Sequence, residues 1–332
     1  MTPITCRLLG RCVHVALCAV LAAECTQEAA AQSYPAKPIR MIVGSSPGGP
    51  IDFVARLAAQ KLTAALGQSV VVDNRTGAGG TIGTEYVAKA APDGYTLLMG
   101  SAATLCVTPH LYSKIGYDTL RDFAPVSALT TASYTLVVPP SLAPKSTTEF
   151  IALAKANPAA RLRFGSAGSG SVTHLAAVLF ASMAAVDFVH VPYKGAGPAM
   201  IDLLGAQLDF MFDSVLTSAP HVKAGRLRAL AVTSSRRSQV MPEVPTVSEA
   251  ALPGYESTTW FGVVAPVATP QAIITKLHAT LAKSIHETET SERLLAQGLE
   301  PVGNTPAQFA QLLRSELPKW GKVVKASGAK VD

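Results

Sequence analysis

Residues 39–67, IRMIVGSSPGGPIDFVARLAAQKLTAALG, constrain the fold more than any other stretch. Ile39, Met41, Ile42 and Val43 form a short apolar run bounded by turn residues, which reads as a buried strand. Gly48 and Gly49 then free the backbone for a turn. Pro50 suits the first helical position and Asp52 falls in the first turn, where a carboxylate complements the helix dipole. Ile51, Val54, Ala55, Leu57, Ala58, Leu62, Ala65 and Leu66 recur at helical spacing until Gly67 stops the helix. A glycine turn feeding a helix N-terminus aims several amide N–H groups at one spot, and that spot attracts an anion.

The unit repeats in kind along the chain. QSVVVDN (68–74) reads as a second strand, followed by the glycine loop Arg75–Thr81 and a helix over Ile82–Ala91. YTLLMG (95–100) is a third strand, followed by Ser101. After a loop-rich section near 109–125 the pattern restarts at about residue 133. A strand is expected at Tyr134–Val138, a helix at Thr147–Asn157 and a strand at Arg161–Phe164. The dense loop Gly165–Ser171 leads to an apolar helix over Val172–Ala184, capped by Ser171. Strands at 188–193, 208–212 and 229–233 follow, with a helix opening at Pro198. WFGVVA (260–265) is a further strand. The helices 270–285 and 306–325 have little sheet of their own, so they are expected to return to the first unit. Strands alternating with helices imply a parallel α/β sheet in two units.

Composition narrows the class. With 48% hydrophobic and 15% charged residues in 332, the chain has material for two cores and is not disordered. Residues 1–31 read as a secretory signal: Arg7 and Arg11 form the basic start, Val13–Ala23 the apolar stretch and Ala29–Ala31 the cleavage region. Cys6, Cys12, Cys18 and Cys25 all lie in that segment, so Cys106 alone would remain, with no disulfide and no zinc pattern. No later apolar run is long enough to span a membrane, so the mature part is expected to be soluble. The net charge is +6 and its basic residues are scattered, which argues against nucleic acid and mildly favours anionic small molecules.

Several motifs carry competing readings. Gly44-Ser45-Ser46-Pro47-Gly48 matches G-x-S-x-G, the nucleophile elbow of hydrolases. The residue after the nucleophile must lend an N–H to the oxyanion hole, and Pro47 has none. A secreted serine hydrolase using Ser46 is therefore the disfavoured alternative. Gly77–Ile82 lacks the third glycine of a dinucleotide loop, and its plain reading is a tight turn. The loop Gly165–Ser171 is a second anion candidate, and His174 would sit at the third helical position as a neutral imidazole giving one hydrogen bond. His110, His190 and His221 share no metal-ligand spacing with it. Lys194 reads either as an anion partner or as a solvated surface lysine, and Asp213 and Ser214 end a strand at the ligand-facing edge.

The segments YPAKPIRMIVGSSPGGPIDFVAR, VVVDNRTGAGGTIGTEYVAKAAPDGYTLLMG, RFGSAGSGSVTHLAA, VHVPYKGAGPAM, LRALAVTSSRR, VPTVSEAALPGYESTTWFGVVAP and KWGKVVKASG resemble, in order over residues 34–332, the Bug family of periplasmic solute receptors of tripartite tricarboxylate transporters. The resemblance implies an α/β, two-lobed type II periplasmic-binding-protein-like fold with a hinge of two crossing strands. It implies a first lobe of residues 34–132 and 257–332 and a second of 133–256. It implies a small carboxylate held between the lobes, no cofactor, no catalysis, a transient integral-membrane permease partner and a monomer working in the periplasm. The loops at Ser45–Asp52 and Ser166–His174 would hold the ligand. The candidate ligand-binding residues are Ser45, Ser46, Pro47, Gly48, Gly49, Asp52, Ser101, Ser166, Gly168, Ser169, Gly170, Ser171, His174, Tyr193 and Asp213, with the amides of Gly48, Gly49, Ser169 and Gly170 foremost. Many members carry an aromatic and a proline before Pro-Gly-Gly. Gly44-Ser45-Ser46 stands here instead, implying a roomier or more polar pocket floor. A ligand sensor docking on a membrane signalling protein is a further alternative.

Overall fold

A computed structural model describes residues 34–156, 161–193 and 195–330. The opening unit forms as its sequence dictates. Strand β1 (Ile39–Val43) is buried at four of five positions and runs into helix α1 (Pro50–Leu66), which Gly67 ends in the left-handed conformation at φ 69°. Strand β2 (Val70–Asn74) pairs parallel with β1 on one side, and β3 (Thr96–Ser101) pairs parallel on the other. Helix α2 (Thr81–Ala88) connects β2 to β3. The 103–107 segment winds as one wide turn into the short helix α3 (Thr108–Leu111), where the sequence reads as loop.

The largest departure from the sequence reading is β4, a single strand over Phe123–Val138, sixteen residues long. Only its last five residues, Tyr134–Val138, look like a strand in the sequence. Pro125, Ser127, Thr130 and Ser133 blur the alternation, and the pairing with β9 (Thr258–Pro266) shifts register at 125/127 and 128/130. Such bulges absorb an extra residue while the ladder continues.

Beyond Ser133 the same strand enters a second set of neighbours. Helix α4 (Thr147–Ala156), β5 (Arg163–Ser166), α5 (Val172–Ala184), β6 (Val189–Pro192), α6 (Ala196–Leu204), β7 (Phe210–Ser214), α7 (Val215–Lys223), β8 (Arg228–Val232) and α8 (Val247–Ala250) build it. The path of pairing runs β2-β1-β3-β9-β4-β7-β5-β6, with β8 also on β4. The chain is a two-lobed α/β fold, one curled sheet shared by both lobes. At the crossing, Ser133 pairs with Thr258. The Tyr134 N–H donates to Thr233 Oγ1 at 2.8 Å, and the Ser257 N–H donates to the Thr233 carbonyl at 2.9 Å.

Register settles where strand ends point. Ser101, the end of β3, is level with Phe261 and hence with Thr130 of β4. Since β4 is antiparallel to β9 and β9 to β3, β1, β3 and β4 run the same way, toward the crossing. In the other lobe β7 is antiparallel to β4, with Ser214 opposite Tyr134, and β5 and β6 run parallel to β7. Their C-terminal ends therefore point back toward the same crossing. The loops after β1, β3, β5, β6 and β7 face one another across it, the place where open α/β sheets meet ligands.

Packing follows the lobes. Helix α9 (Gln271–Ile285) places Ile274, Leu277, Leu281 and Ile285 against Ile39, Met41 and Val54 on one face of the first sheet half. Helix α10 (Thr288–Leu295) and strand β10 (Glu300–Pro301) lead to α11 (Pro306–Ser327), whose Phe309, Leu313 and Trp320 cover the other face with Leu98, Leu105 and Trp260. Cys106 is fully buried in that cluster, where burial pushes its thiol pKa up. The second lobe centres on Phe150, Phe164, Phe180, Phe210 and Phe212, and full burial of each such ring contributes roughly 1.5–3 kcal/mol. Leu175 of α5 belongs to the cluster of Trp320 and Val323, so the lobes touch along α5 and α11. Among the described residues no helix is long and apolar enough to cross a membrane.

Candidate functional site

The loop from Gly44 to Gly49 is held from below by Asp52. Its carboxylate is buried and accepts the Gly48 N–H at 2.9 Å, Asn74 Nδ2–H at 2.9 Å and Arg56 Nε–H at 2.8 Å. Asn74 also donates to the Ser45 carbonyl at 3.0 Å. Burial alone would raise the Asp52 pKa, but the hydrogen bonds from Arg56, Gly48 and Asn74 outweigh it and hold the carboxyl below its ordinary range. Two of the candidate residues are thus engaged within the loop itself. Asp52 is spent shaping the loop, and the Gly48 amide donates inward to it. Gly49 keeps its N–H without a partner among the described residues. Its backbone is extended at φ −82°, so the turn needs glycine at Gly48, with φ +89°, and not at Gly49. Asp52→Ala would strand the Gly48 and Asn74 donors. It is expected to cost about 1–3 kcal/mol in chemical denaturation and to loosen the loop.

Beneath the loop the backbone of Gly44 lies against Gly80. A Cβ on Gly44 would come within 2.8 Å of the Gly80 carbonyl oxygen, and one on Gly83 within 2.9 Å of the Arg75 carbonyl oxygen. The second glycine loop is thus a support that lets two backbones touch. Above this contact the Ser45 hydroxyl is buried without a partner among the described residues, while Ser46, Pro47 and Gly48 are exposed.

The second loop is tied by short-range bonds. Gly168 carbonyl accepts from Ser171 N–H at 3.1 Å and from Ser171 Oγ–H at 2.6 Å, and Ala167 N–H donates to Thr173 Oγ1 at 3.0 Å. Ser171 caps α5, accepting the His174 N–H at 3.3 Å. The Gly170 N–H donates to His174 Nδ1 at 3.1 Å, so it is not free for a ligand as expected, and His174 carries its proton on Nε2. Burial and the neighbouring His190 ring pull the His174 pKa down to about 4, leaving a neutral imidazole. Ser169 keeps an exposed N–H and hydroxyl without partners among the described residues. Gly170 sits so close to α3 that a Cβ there would approach Leu111 Cδ1 at 3.0 Å, bringing this loop to the first lobe.

The other candidates face the crossing but are engaged locally. Ser101 bonds with Thr104, its Oγ accepting the Thr104 N–H at 3.2 Å. The Tyr193 hydroxyl donates to Asp202 Oδ2 at 2.5 Å, and Thr217 donates to Asp213, whose carboxyl burial pushes up in pKa. Lys194 lies outside the described residues, as do residues 1–31, where the sequence reads as a secretory signal. His190 was missed. Its strand position opposite Phe164 puts its ring 3.9 Å from that of His174 at 8° and 4.8 Å from Phe164 at 19°. Only the hint of a polar ring at an inward strand position pointed to it, and the pairing partner is invisible in one sequence.

The donors left open after these bonds are neutral ones, above all the Gly49 and Ser169 amides and the Ser46 and Ser169 hydroxyls. Such a site suits holding an anion, and the one serine beside an imidazole in these loops, Ser166 at 2.7 Å from His190 Nε2, is fully buried. The family model for the tripartite tricarboxylate transporter family receptor matches residues 54–329. This chain belongs to that receptor family. Protein BugT of Bordetella pertussis is 41% identical over 302 residues, covering 91% of this chain and 92% of BugT. Among solved structures, Rpa4515 of R. palustris with adipate shares 36% identity at a TM-score of 0.73, covering 90% of this chain and all of that one. MatC of Rhodopseudomonas palustris with bound malate shares 34% at 0.69, covering 88% and 100%.

As a tripartite-transporter receptor the chain is a solute-binding protein and not an enzyme, which disposes of the Ser46 hydrolase reading. Ser46 is the exposed tip of a loop whose neighbour Pro47 has no N–H to offer an oxyanion. Among the described residues no group of three His, Cys, Asp or Glu could hold a metal ion.

Proposed function

We propose that this receptor captures a small carboxylate between the loops at Ser45–Gly49 and Ser166–His174 and hands it to an integral-membrane permease. The observation that carries the reading is the convergence of strand ends from both lobes on one crossing, each bringing a helix N-terminus with amides that have no partner among the described residues. Amide donors at helix starts bind carboxylates when water is displaced, and neutral donors hold the anion without a buried counter-charge. Carboxylates bound in Rpa4515 and MatC support the same class here. The net charge of +6 raises the local concentration of such anions.

On this reading residues 1–31 direct export and are removed, and the protein acts as a periplasmic monomer. The lobes comprise residues 34–132 with 257–332, and 133–256, because the chain changes sheet neighbours at Ser133–Tyr134 and at Ser257–Thr258. Hinge bending at those two places closes the loops over the ligand, and the permease meets the closed form.

A thermal-shift screen of residues 32–332 against C4–C6 dicarboxylates, citrate-like acids and aromatic acids tests the proposal. A ligand present at 100 times its Kd stabilises by about 2.7 kcal/mol, which is a shift of several degrees. A flat response across the panel, with the protein folded, would sink it.

A further inference from the structure

We propose that His190 is a positioning residue for the second ligand loop: it stacks on His174 and grips Ser166, and so fixes both the loop and the direction in which His174 presents its N–H. This rests on the carboxylate reading above. The three rings of Phe164, His190 and His174 are nearly parallel, with His190 and His174 centroids 3.9 Å apart. At its other edge His190 Nε2 lies 2.7 Å from Ser166 Oγ. Ser166 is fully buried and accepts the Gly168 N–H at 3.1 Å.

The Ser166 hydroxyl has two polar neighbours, the Gly168 carbonyl at 3.2 Å and His190 Nε2 at 2.7 Å, and the shorter contact ties it to the His190 ring. His174 Nδ1 takes the Gly170 N–H, so its own proton sits on Nε2. One ring therefore connects β6 to both ends of the loop: through Ser166 to Gly168 at its start, and through the stack to His174 and Gly170 at its end. Between these anchors hang the free amide and hydroxyl of Ser169. Without His190, Ser166 loses its shortest hydrogen bond and His174 loses the face that holds its ring flat.

Isothermal calorimetry with adipate and malate, together with ring nitrogen NMR of His174, tests this. In the wild-type protein the His174 ring nitrogens are expected to show one tautomer, protonated at Nε2. In His190→Ala they are expected to move toward each other as the tautomers mix, and affinity for the dicarboxylate is expected to fall about tenfold. Ser166→Ala removes the contact to His190 together with the acceptor of the Gly168 N–H, serves if His190→Ala fails to fold, and is expected to weaken binding several-fold. A folded His190→Ala that keeps the single tautomer and full affinity, or a folded Ser166→Ala that binds as tightly as wild type where the first variant fails to fold, would overturn the assignment. Should the wild-type protein bind neither acid, the ligand reading fails, and the tautomer measurement still decides the role of His190.

Discussion

Gly49→Asp is expected to leave the melting temperature level or raise it by about 1 °C, and to weaken carboxylate binding about 100-fold. The two effects oppose each other for one reason. Gly49 is the N-cap of α1, extended at φ −82° and ψ 170°, with no side-chain cap and open space where a Cβ would stand. Aspartate is among the best N-caps and improves on glycine by a few tenths of a kcal/mol. Its carboxylate would sit on the amides proposed to receive the ligand. Two like charges 4 Å apart repel by about 4 kcal/mol at an effective dielectric of 20. Relaxation and water reduce that toward the roughly 2.7 kcal/mol that a 100-fold change represents. Scanning calorimetry and titration with adipate or malate measure both quantities on one sample. Undiminished affinity in a well-folded variant would remove Gly49 from the site.

Gly44→Val is expected to lower the melting temperature by roughly 6–12 °C, with ligand binding falling alongside. A Cβ there meets the Gly80 carbonyl oxygen at 2.8 Å and Gly80 Cα at 2.9 Å, both backbone atoms that cannot swing aside. Gly80 in turn has little room toward Thr104, whose Cγ2 a Cβ on Gly80 would meet at 2.7 Å, so a shift would propagate to the loop after β3. Overpacking of this kind costs about 3 kcal/mol. Gly49→Val is the control, since a Cβ there meets nothing within 4 Å. A Gly44→Val protein melting within about 2 °C of wild type would show that the two glycine loops are free to part.

These two glycines illustrate what a sequence reader can and cannot see. Gly48 and Gly49 look alike in the sequence, and only the fold shows that one turns the chain while the other merely caps a helix. Asp52 looks like a dipole-complementing first-turn residue, which it is. That its carboxylate also consumes the Gly48 amide depends on Asn74 arriving from β2. Similarly, Ser171 was legible as a cap because its bond spans three residues. His190 was not, because its partners Ser166 and His174 are 24 and 16 positions away.

Local chemistry thus determined what lies within one turn or one strand: the strand–glycine–helix units, the caps, the neutral state of His174 and the donors on the two loops. Periodicity and turn residues act over a few positions, so one chain suffices to read them. Tertiary structure alone decided which donors stay free, how far β4 extends and which lobe each strand end faces. Those outcomes depend on pairings between segments more than 160 residues apart, such as Leu98 with Val264. The energy that selects such a pairing comes from burying both partners together, and neither segment carries that information by itself.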